Sequence, residues 1–173
     1  MTVQTSDRPR ADSPRAAQLF AKSPDGFAGK SLEQQVQELA DREEIRDLVA
    51  TYAHRVTHGL SSADLFTDDG AYIHRRSLDA EPEVSRGRAE LDAHYIERPG
   101  FAGTATPMIH NQLLSVNGDE ASGFCSIELR LWQGDASLMC SGYYRDRLRR
   151  EAGRWKFVER EVSFFHWGVP EKG

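Results

Sequence analysis

From Met108 to Trp167 the chain runs through four long segments, Met108–Val116, Ala121–Trp132, Ser137–Arg149 and Arg154–Trp167, and each break between them is a short polar turn. The turns are Asn117-Gly118-Asp119, Gln133-Gly134-Asp135 and Glu151-Ala152-Gly153, residue types that reverse a chain tightly. Connections this short leave room only for antiparallel neighbours, because a parallel pair needs a crossover of a dozen or more residues. A four-strand antiparallel meander is therefore expected. In its second strand Cys125, Ile127, Leu129 and Leu131 alternate with Ser126, Glu128, Arg130 and Trp132, so one face is apolar and the other too polar for a core.

Helical signals precede the meander. Ser31-Leu32-Glu33-Gln34 fits a capping box, and Leu32, Val36, Leu39, Ile45, Leu48, Val49, Tyr52 and Val56 then recur largely at three- and four-residue steps. This predicts one long amphipathic helix from Ser31 to about His58, ending near Gly59. SSADLF, from Ser61 to Phe66, reads as a short second helix closed by the polar turn Thr67-Asp68-Asp69-Gly70, and a strand is expected over Ala71 to Arg76. A third helix follows Gly87, with Leu91 and Tyr95 on one face, and stops at Pro99-Gly100. Helices gathered on one side of an antiparallel sheet make an α+β fold. The expected core includes Ile45, Leu48, Val49, Leu65, Phe66, Leu91, Ile127 and Leu129.

At 173 residues there is material for one domain, read here as 31–173, preceded over 1–30 by a segment rich in Pro, Ser, Ala, Asp and Arg without a sustained period. That composition predicts a mobile arm. The arm holds 5 basic and 3 acidic residues, so the chain's net charge of -5 becomes -7 for the body. An acidic body gives no general attraction to phosphate backbones or anionic lipid, so neither nucleic acid nor a membrane is an expected partner. The arginines of RDRLRREAGR are interleaved with Asp146 and Glu151 and read as a solvated turn. Cys125 and Cys140 lack C-x-x-C spacing and read as buried thiols. No apolar stretch reaches the length of a membrane span or a signal peptide, so a cytoplasmic protein is expected. The one H-x-x-x-H pair, His54 and His58, lies at a helix end without a carboxylate third ligand, and no Gly-rich phosphate loop or G-x-S-x-G elbow is present. Neither a metal nor a cofactor is expected.

Four segments in order, LADREEIRDLVATYAHRV, DLFTDDGAYI, MIHNQLLSVNGDEAS and YYRDRLRREAGRWKFVER, resemble SnoaL-like members of the nuclear transport factor two-like superfamily over roughly residues 35 to 167. The resemblance implies a curved antiparallel sheet wrapped around the long helix, with two shorter helices, into a cone whose mouth holds an apolar pocket. It points to the branch resembling scytalone dehydratase, bile-acid dehydratase and hexachlorocyclohexane dehydrochlorinase. Within that branch the histidine of MIHN, His110, matches the catalytic histidine. Thr57 stands where the branch usually has an aspartate paired to it, and a threonine offers only a weak hydrogen bond in its place.

Taken by itself, His110 between apolar neighbours reads as a core histidine; the resemblance makes it the candidate base, and an imidazole with an ordinary pKa of about 6.5 accepts a proton at neutral pH. Tyr72, His74 and Arg76 share one face of their strand by period two. The resemblance makes that face a pocket wall, while an exposed polar edge is the alternative, evenly weighted at Arg76. Tyr52 lies on the apolar face of the long helix, as a pocket tyrosine or a packing residue. Ser141 and Tyr143 share a face with Met139, and Arg160, Val162, Phe164 and His166 share another. A buried Arg160 needs either a carboxylate or an anionic or phenolic ligand, and the ligand is preferred. His54 and His94 read as surface residues.

The expected activity is a cofactor-independent lyase that eliminates water, halide or formaldehyde from a small apolar cyclic or aromatic substrate. His110 acts with Tyr52, Tyr72 and His74, and Thr57, Arg76, Ile127, Leu129, Met139, Ser141, Tyr143, Arg160 and Phe164 contact the substrate. An isomerase or cyclase of the same fold and a non-catalytic binding or accessory subunit are the rivals, the last favoured by Thr57. Phe124, Glu128, Arg130 and Trp132 form a mixed face suited to a partner, so a homo-oligomer is expected, trimer ahead of dimer as in the lyases it resembles.

Overall fold

A computed structural model of the protein describes residues 26–77, 79–96, 105–133 and 135–167, with the side chains of 96, 105, 131–139, 166 and 167 outside that description. Most of the expected arm, together with Pro99 and Gly100, falls outside the described residues. Helix α1 spans Leu32–Thr57, and Ser31 caps it as the sequence predicts, with the Ser31 hydroxyl accepting from the Gln34 amide and the Gln34 side chain accepting from the Ser31 amide. Such a cap stabilises a helix by about 1 kcal/mol.

The buried stripe of α1 is Glu38, Asp41, Ile45, Val49 and Tyr52, so its first turns differ from expectation: Leu32, Val36 and Leu39 are exposed. The reason is ionic. Glu38 meets Lys30 and Arg42, whose Nη1 donates to the Leu114 carbonyl at 2.8 Å, and Asp41 meets Arg150, whose guanidinium lies over the Trp155 ring. These pairs fasten the start of α1 to the far hairpins and turn the other face of the helix outward.

The expected second helix is only a 3-10 turn, Ala63–Leu65, and strand β1 (Phe66–Arg75) begins directly after it. Thr67 to Gly70 thus belongs to the strand, where the register shifts between Phe66 and Ala71. Gly70 is required there, because an added Cβ would sit 2.9 Å from both the Phe66 Cβ and the Thr67 carbonyl oxygen. A four-residue strand that the sequence reading lacks, β2 (Glu83–Arg86), pairs with β1 and leads into helix α2 (Gly87–Ile96).

The meander follows as β3 (Ala105–Asn117), β4 (Glu120–Gln133), β5 (Asp135–Glu151) and β6 (Arg154–Trp167). The six strands form one open curved sheet in the order β2-β1-β6-β5-β4-β3. Every neighbouring pair is antiparallel except β1 with β6, so the sheet is mixed where an antiparallel one was expected. No hairpin joins β1 to β6, so no tight turn dictates their relative direction.

Helix α1 lies in the concavity of this sheet. All eight expected core residues are buried or pack against the core. Among the described residues no helix is long and apolar enough to cross a membrane.

Candidate functional site

The strand register decides which side chains meet inside the cone. Tyr72 stands between Ser85 of β2 and Arg160 of β6, and His74 stands between Glu83 and Val162. Across β5 and β6, Asp146 faces Arg160 and Tyr144 faces Val162, while Gly142 faces Phe164. Tyr72, His74, Tyr144, Asp146, Arg160, Val162 and Phe164 therefore line one concave face, and Tyr52 meets them from α1.

At its centre Arg160 is 0% exposed, with its guanidinium carbon 3.8 Å from the Tyr144 ring centroid, 4.2 Å from that of Tyr52 and 4.7 Å from that of Phe157. Arg160 Nη1 donates to Asp146 Oδ2 at 3.0 Å. Arg160 thus has the carboxylate partner of its first reading, while its Nε and Nη2 have no hydrogen-bond partner among the described residues. Burial drives the Asp146 carboxyl up to about 6 against the pull of Arg160, whereas burial works against the charge of Arg160 and Asp146 restores it. Desolvation prevails at the carboxylate, because Asp146 Oδ1 has no hydrogen-bond partner among the described residues.

Tyr95 of α2 donates to the Tyr52 hydroxyl at 3.4 Å, and the rings of Tyr95, Tyr144 and Phe157 each stand edge-on to Tyr52 at 6.0 Å. Burial raises the hydroxyls of Tyr52, Tyr95 and Tyr144 above the ordinary phenol value, so all three are neutral donors near pH 7.

Toward the β2 edge the surroundings become titratable. The His94 ring lies 4.5 Å from that of Tyr72, and Ser85 Oγ is 3.4 Å from His94 Nδ1. The His74 ring meets Phe164 at 5.5 Å, and His74 Nδ1 is 3.9 Å from Glu83 Oε2. His94, read from the sequence as a surface residue, is half-buried here because α2 turns it onto Tyr72. A separate open cleft of about 490 Å³ lies between the start of α1 and the β3–β4 turn, lined by Lys30, Glu38, Asp41, Asp119 and Arg150 among others.

The remaining candidates divide by face. Ile127 is buried and Leu129 partly buried on the concave side, with Phe164. His110 is exposed and pairs with Ser126, while its neighbour Ile109 pairs with Ile127. His110 thus points to the convex side, away from Tyr72 and His74. Ser141 and Tyr143 are also on that side, where Tyr143 stacks between Phe124 and Phe165 at 5.1 and 5.0 Å. Thr57 closes α1 and its hydroxyl donates to the Ala53 carbonyl at 2.9 Å. The Arg76 side chain is 77% exposed with its Nη2 3.5 Å from Glu83 Oε1, and the Met139 side chain lies outside the described residues.

Sequence reasoning missed Glu83, Tyr95, Tyr144 and Asp146. The signal for two of them was present: with Arg145, Arg147 and Arg149 outward, period two turns Tyr144, Asp146 and Leu148 inward. Asp146, expected in a solvated turn, is 1% exposed.

Residues 37–161 match the sequence pattern of the SnoaL-like domain. Three solved structures from Novosphingobium aromaticivorans share the fold. An NTF2-like protein with a cystatin-like fold is 23% identical with a TM-score of 0.68, over 82% of this chain and 95% of that one. The beta subunit of a protein described as an aromatic-ring-hydroxylating dioxygenase is 18% identical with a TM-score of 0.64, over 78% and 94%. A protein described as a scytalone dehydratase is 17% identical with a TM-score of 0.61, over 78% and 93%. No match was found among curated proteins.

Proposed function

The chain belongs to the SnoaL-like domain family, and from that premise we propose that it is a cofactor-independent lyase acting on a small, largely apolar cyclic or aromatic molecule. The observation that carries the reading is the concave-face pair Tyr72 and His74, sheltered by Phe164, Tyr95 and His94. His110 faces the other way, so the proposal gives its task to His74. Neutral His74 takes a proton from carbon, the freed electron pair forms the new double bond, and the leaving group departs with its bonding electrons. A departing hydroxide takes a proton from Tyr72, which the imidazolium then restores. The Phe164 ring beside His74 and the Tyr95 ring beside Tyr72 suit a flat, largely apolar substrate. Likeness to a protein described as a scytalone dehydratase supports this reading.

The probe is 5-nitrobenzisoxazole, an aromatic compound that opens when a base removes its C–H proton and the N–O bond breaks, releasing an absorbing phenolate. Saturable elimination is expected, with His74→Ala slowing it at least about a hundredfold, as removal of a general base does. Equal rates in wild type and His74→Ala would overturn the assignment. A second reading, a binding or accessory subunit, is favoured by Thr57, whose hydroxyl is committed to Ala53 where the lyase branch has an aspartate. Saturable binding of the probe without turnover would select it.

A further inference from the structure

We infer that Glu83, on the short strand β2, is the positioning carboxylate for His74, so that the histidine-carboxylate pair of this site is built across the β1–β2 ladder and not on the helix at Thr57. The inference rests on the proposed lyase reading for its consequence, but the pairing stands on its own geometry. The ladder sets His74 directly opposite Glu83, with Nδ1 3.9 Å from Oε2. That is ion-pair distance. The His74 side chain is 17% exposed and that of Glu83 48%, so the imidazole is sheltered while the carboxylate keeps its hydration. Glu83 can therefore stay ionised without the desolvation cost that Asp146 meets.

The neighbouring rung repeats the arrangement. Tyr72 faces Ser85, whose hydroxyl lies 3.4 Å from His94 Nδ1, and that ring is 4.5 Å from Tyr72. Strand β2 thus brings a polar partner to the surroundings of both groups that the proposed reaction uses, which gives a four-residue edge strand a purpose beyond lengthening the sheet.

Among the described residues, the charged and titratable groups seen around His74 are Glu83 on β2, Arg76 and Tyr72 on its own strand, and His94 on α2 beyond Tyr72, with the uncharged Phe164 presented by β6. Arg76, 3.5 Å from the other Glu83 oxygen, opposes the effect of the carboxylate from a mostly solvated position. A carboxylate at this distance, within ion-pair reach and beyond a direct hydrogen bond, stabilises the imidazolium that forms when His74 takes a proton.

The test is to follow the His74 imidazole by NMR across pH in wild type, Glu83→Gln and Arg76→Ala, each a substitution at a solvated side chain that leaves the core intact. The His74 midpoint is expected to fall by about half a pH unit or more in Glu83→Gln and to rise in Arg76→Ala, as loss of an opposite or a like charge requires. The 5-nitrobenzisoxazole rate, which needs neutral His74, should begin its rise at lower pH in Glu83→Gln and reach a lower plateau, with Glu83→Asp restoring part of both. An unchanged His74 titration in Glu83→Gln overturns the pairing whatever the activity. Absence of elimination in wild type, with the NMR shift intact, overturns the lyase reading and leaves the pairing standing.

Discussion

Arg160 and Asp146, facing each other on β6 and β5, form an ion pair that is out of solvent on both sides and roofed by the rings of Tyr52, Tyr144 and Phe157. The interior of the cone is thereby built around a cation in an aromatic box, with a single carboxylate oxygen as its hydrogen-bonded counter-charge. Truncating one member of such a pair strands the other. Asp146→Ala is predicted to lower stability by about 3 to 5 kcal/mol, while replacing both with apolar residues, as in Asp146→Leu with Arg160→Met, is predicted to recover most of the loss. Urea unfolding of the three proteins checks this.

The same pair predicts a pH dependence. Burial raises Asp146 to about 6, above its unfolded value of about 3.9. A carboxyl raised in the folded state binds its proton there first. Its contribution to stability is therefore fully present below about pH 4 and is lost as pH rises through about 6. Asp146→Asn keeps an acceptor for Arg160 but cannot titrate. Relative to it, wild type should gain up to about 3 kcal/mol on going from pH 7 to pH 4, since each tenfold difference in proton affinity between the folded and unfolded chain is worth about 1.4 kcal/mol. A wild type that instead loses stability relative to Asp146→Asn as pH falls would show that Arg160 outweighs desolvation, and a difference independent of pH would show that the two effects cancel.

These residues also show what could be read in advance. The capping box at Ser31, the α1 stripe from Ile45 to Tyr52 and the meander turns at Gly118 and Gly153 are local signals, and the structure follows them. What escaped was set by partners distant in sequence. Glu38 and Asp41 are buried only because Lys30, Arg42 and Arg150 reach them. Strand β2 has a single large apolar residue, Val84, and no period to detect. On β3 the register shifts between His110 and Leu113, with Asn111 at φ 52°, so the inward positions pass from Pro107 and Ile109 to Leu114 and Val116. No count of alternating residues reveals such a bulge, and the face of His110 depends on it.

From that bulge follows a prediction for His110. An exposed side chain on the convex face should be replaceable, so His110→Ala is expected to keep stability within about 0.5 kcal/mol and the probe rate within about twofold. A hundredfold loss would return His110 to the site and show that the mouth of the cone rearranges.

Thr57→Asp tests whether the helix position can still hold the branch's aspartate. The substitution gives up the hydroxyl's bond to Ala53 and puts a negative charge at the C-terminal end of α1, where the helix dipole disfavours it by about 0.3 to 1 kcal/mol. With His110 on the other side of β3 and His74 already facing Glu83, no histidine in the site needs this carboxylate. A lower rate with a small fall in melting temperature is expected; a higher rate would favour the helix-based pair.

Gly142 is a structural prediction with a consequence for the site. A Cβ there would lie 2.3 Å from the Ser163 carbonyl oxygen and 3.0 Å from Phe164 Cδ1. Gly142→Ala must push β6 away from β5, at a cost of about 1 to 3 kcal/mol for over-packing. Because Phe164 packs on His74, the probe rate should fall as well. Thermal unfolding and the elimination assay, read together, check both effects.

The convex face carries the last prediction. Phe124, Tyr143 and Phe165 stack in a row across β4, β5 and β6, beside the exposed Met108 and Leu113 of β3 and the Glu128–Arg130 pair at 2.7 Å. Aromatic side chains at the middle of a patch and opposite charges at its edge are what a subunit interface uses. A second copy of the chain brings the same two charges and so complements itself. We therefore expect a homo-oligomer. Leu113→Arg adds a charge to the apolar part without touching the concave face, so it should shift light scattering at micromolar concentration toward the monomer while His74 keeps its titration. A wild-type chain that is monomeric at that concentration would refute the assembly and leave the aromatic row as a surface feature of the sheet alone.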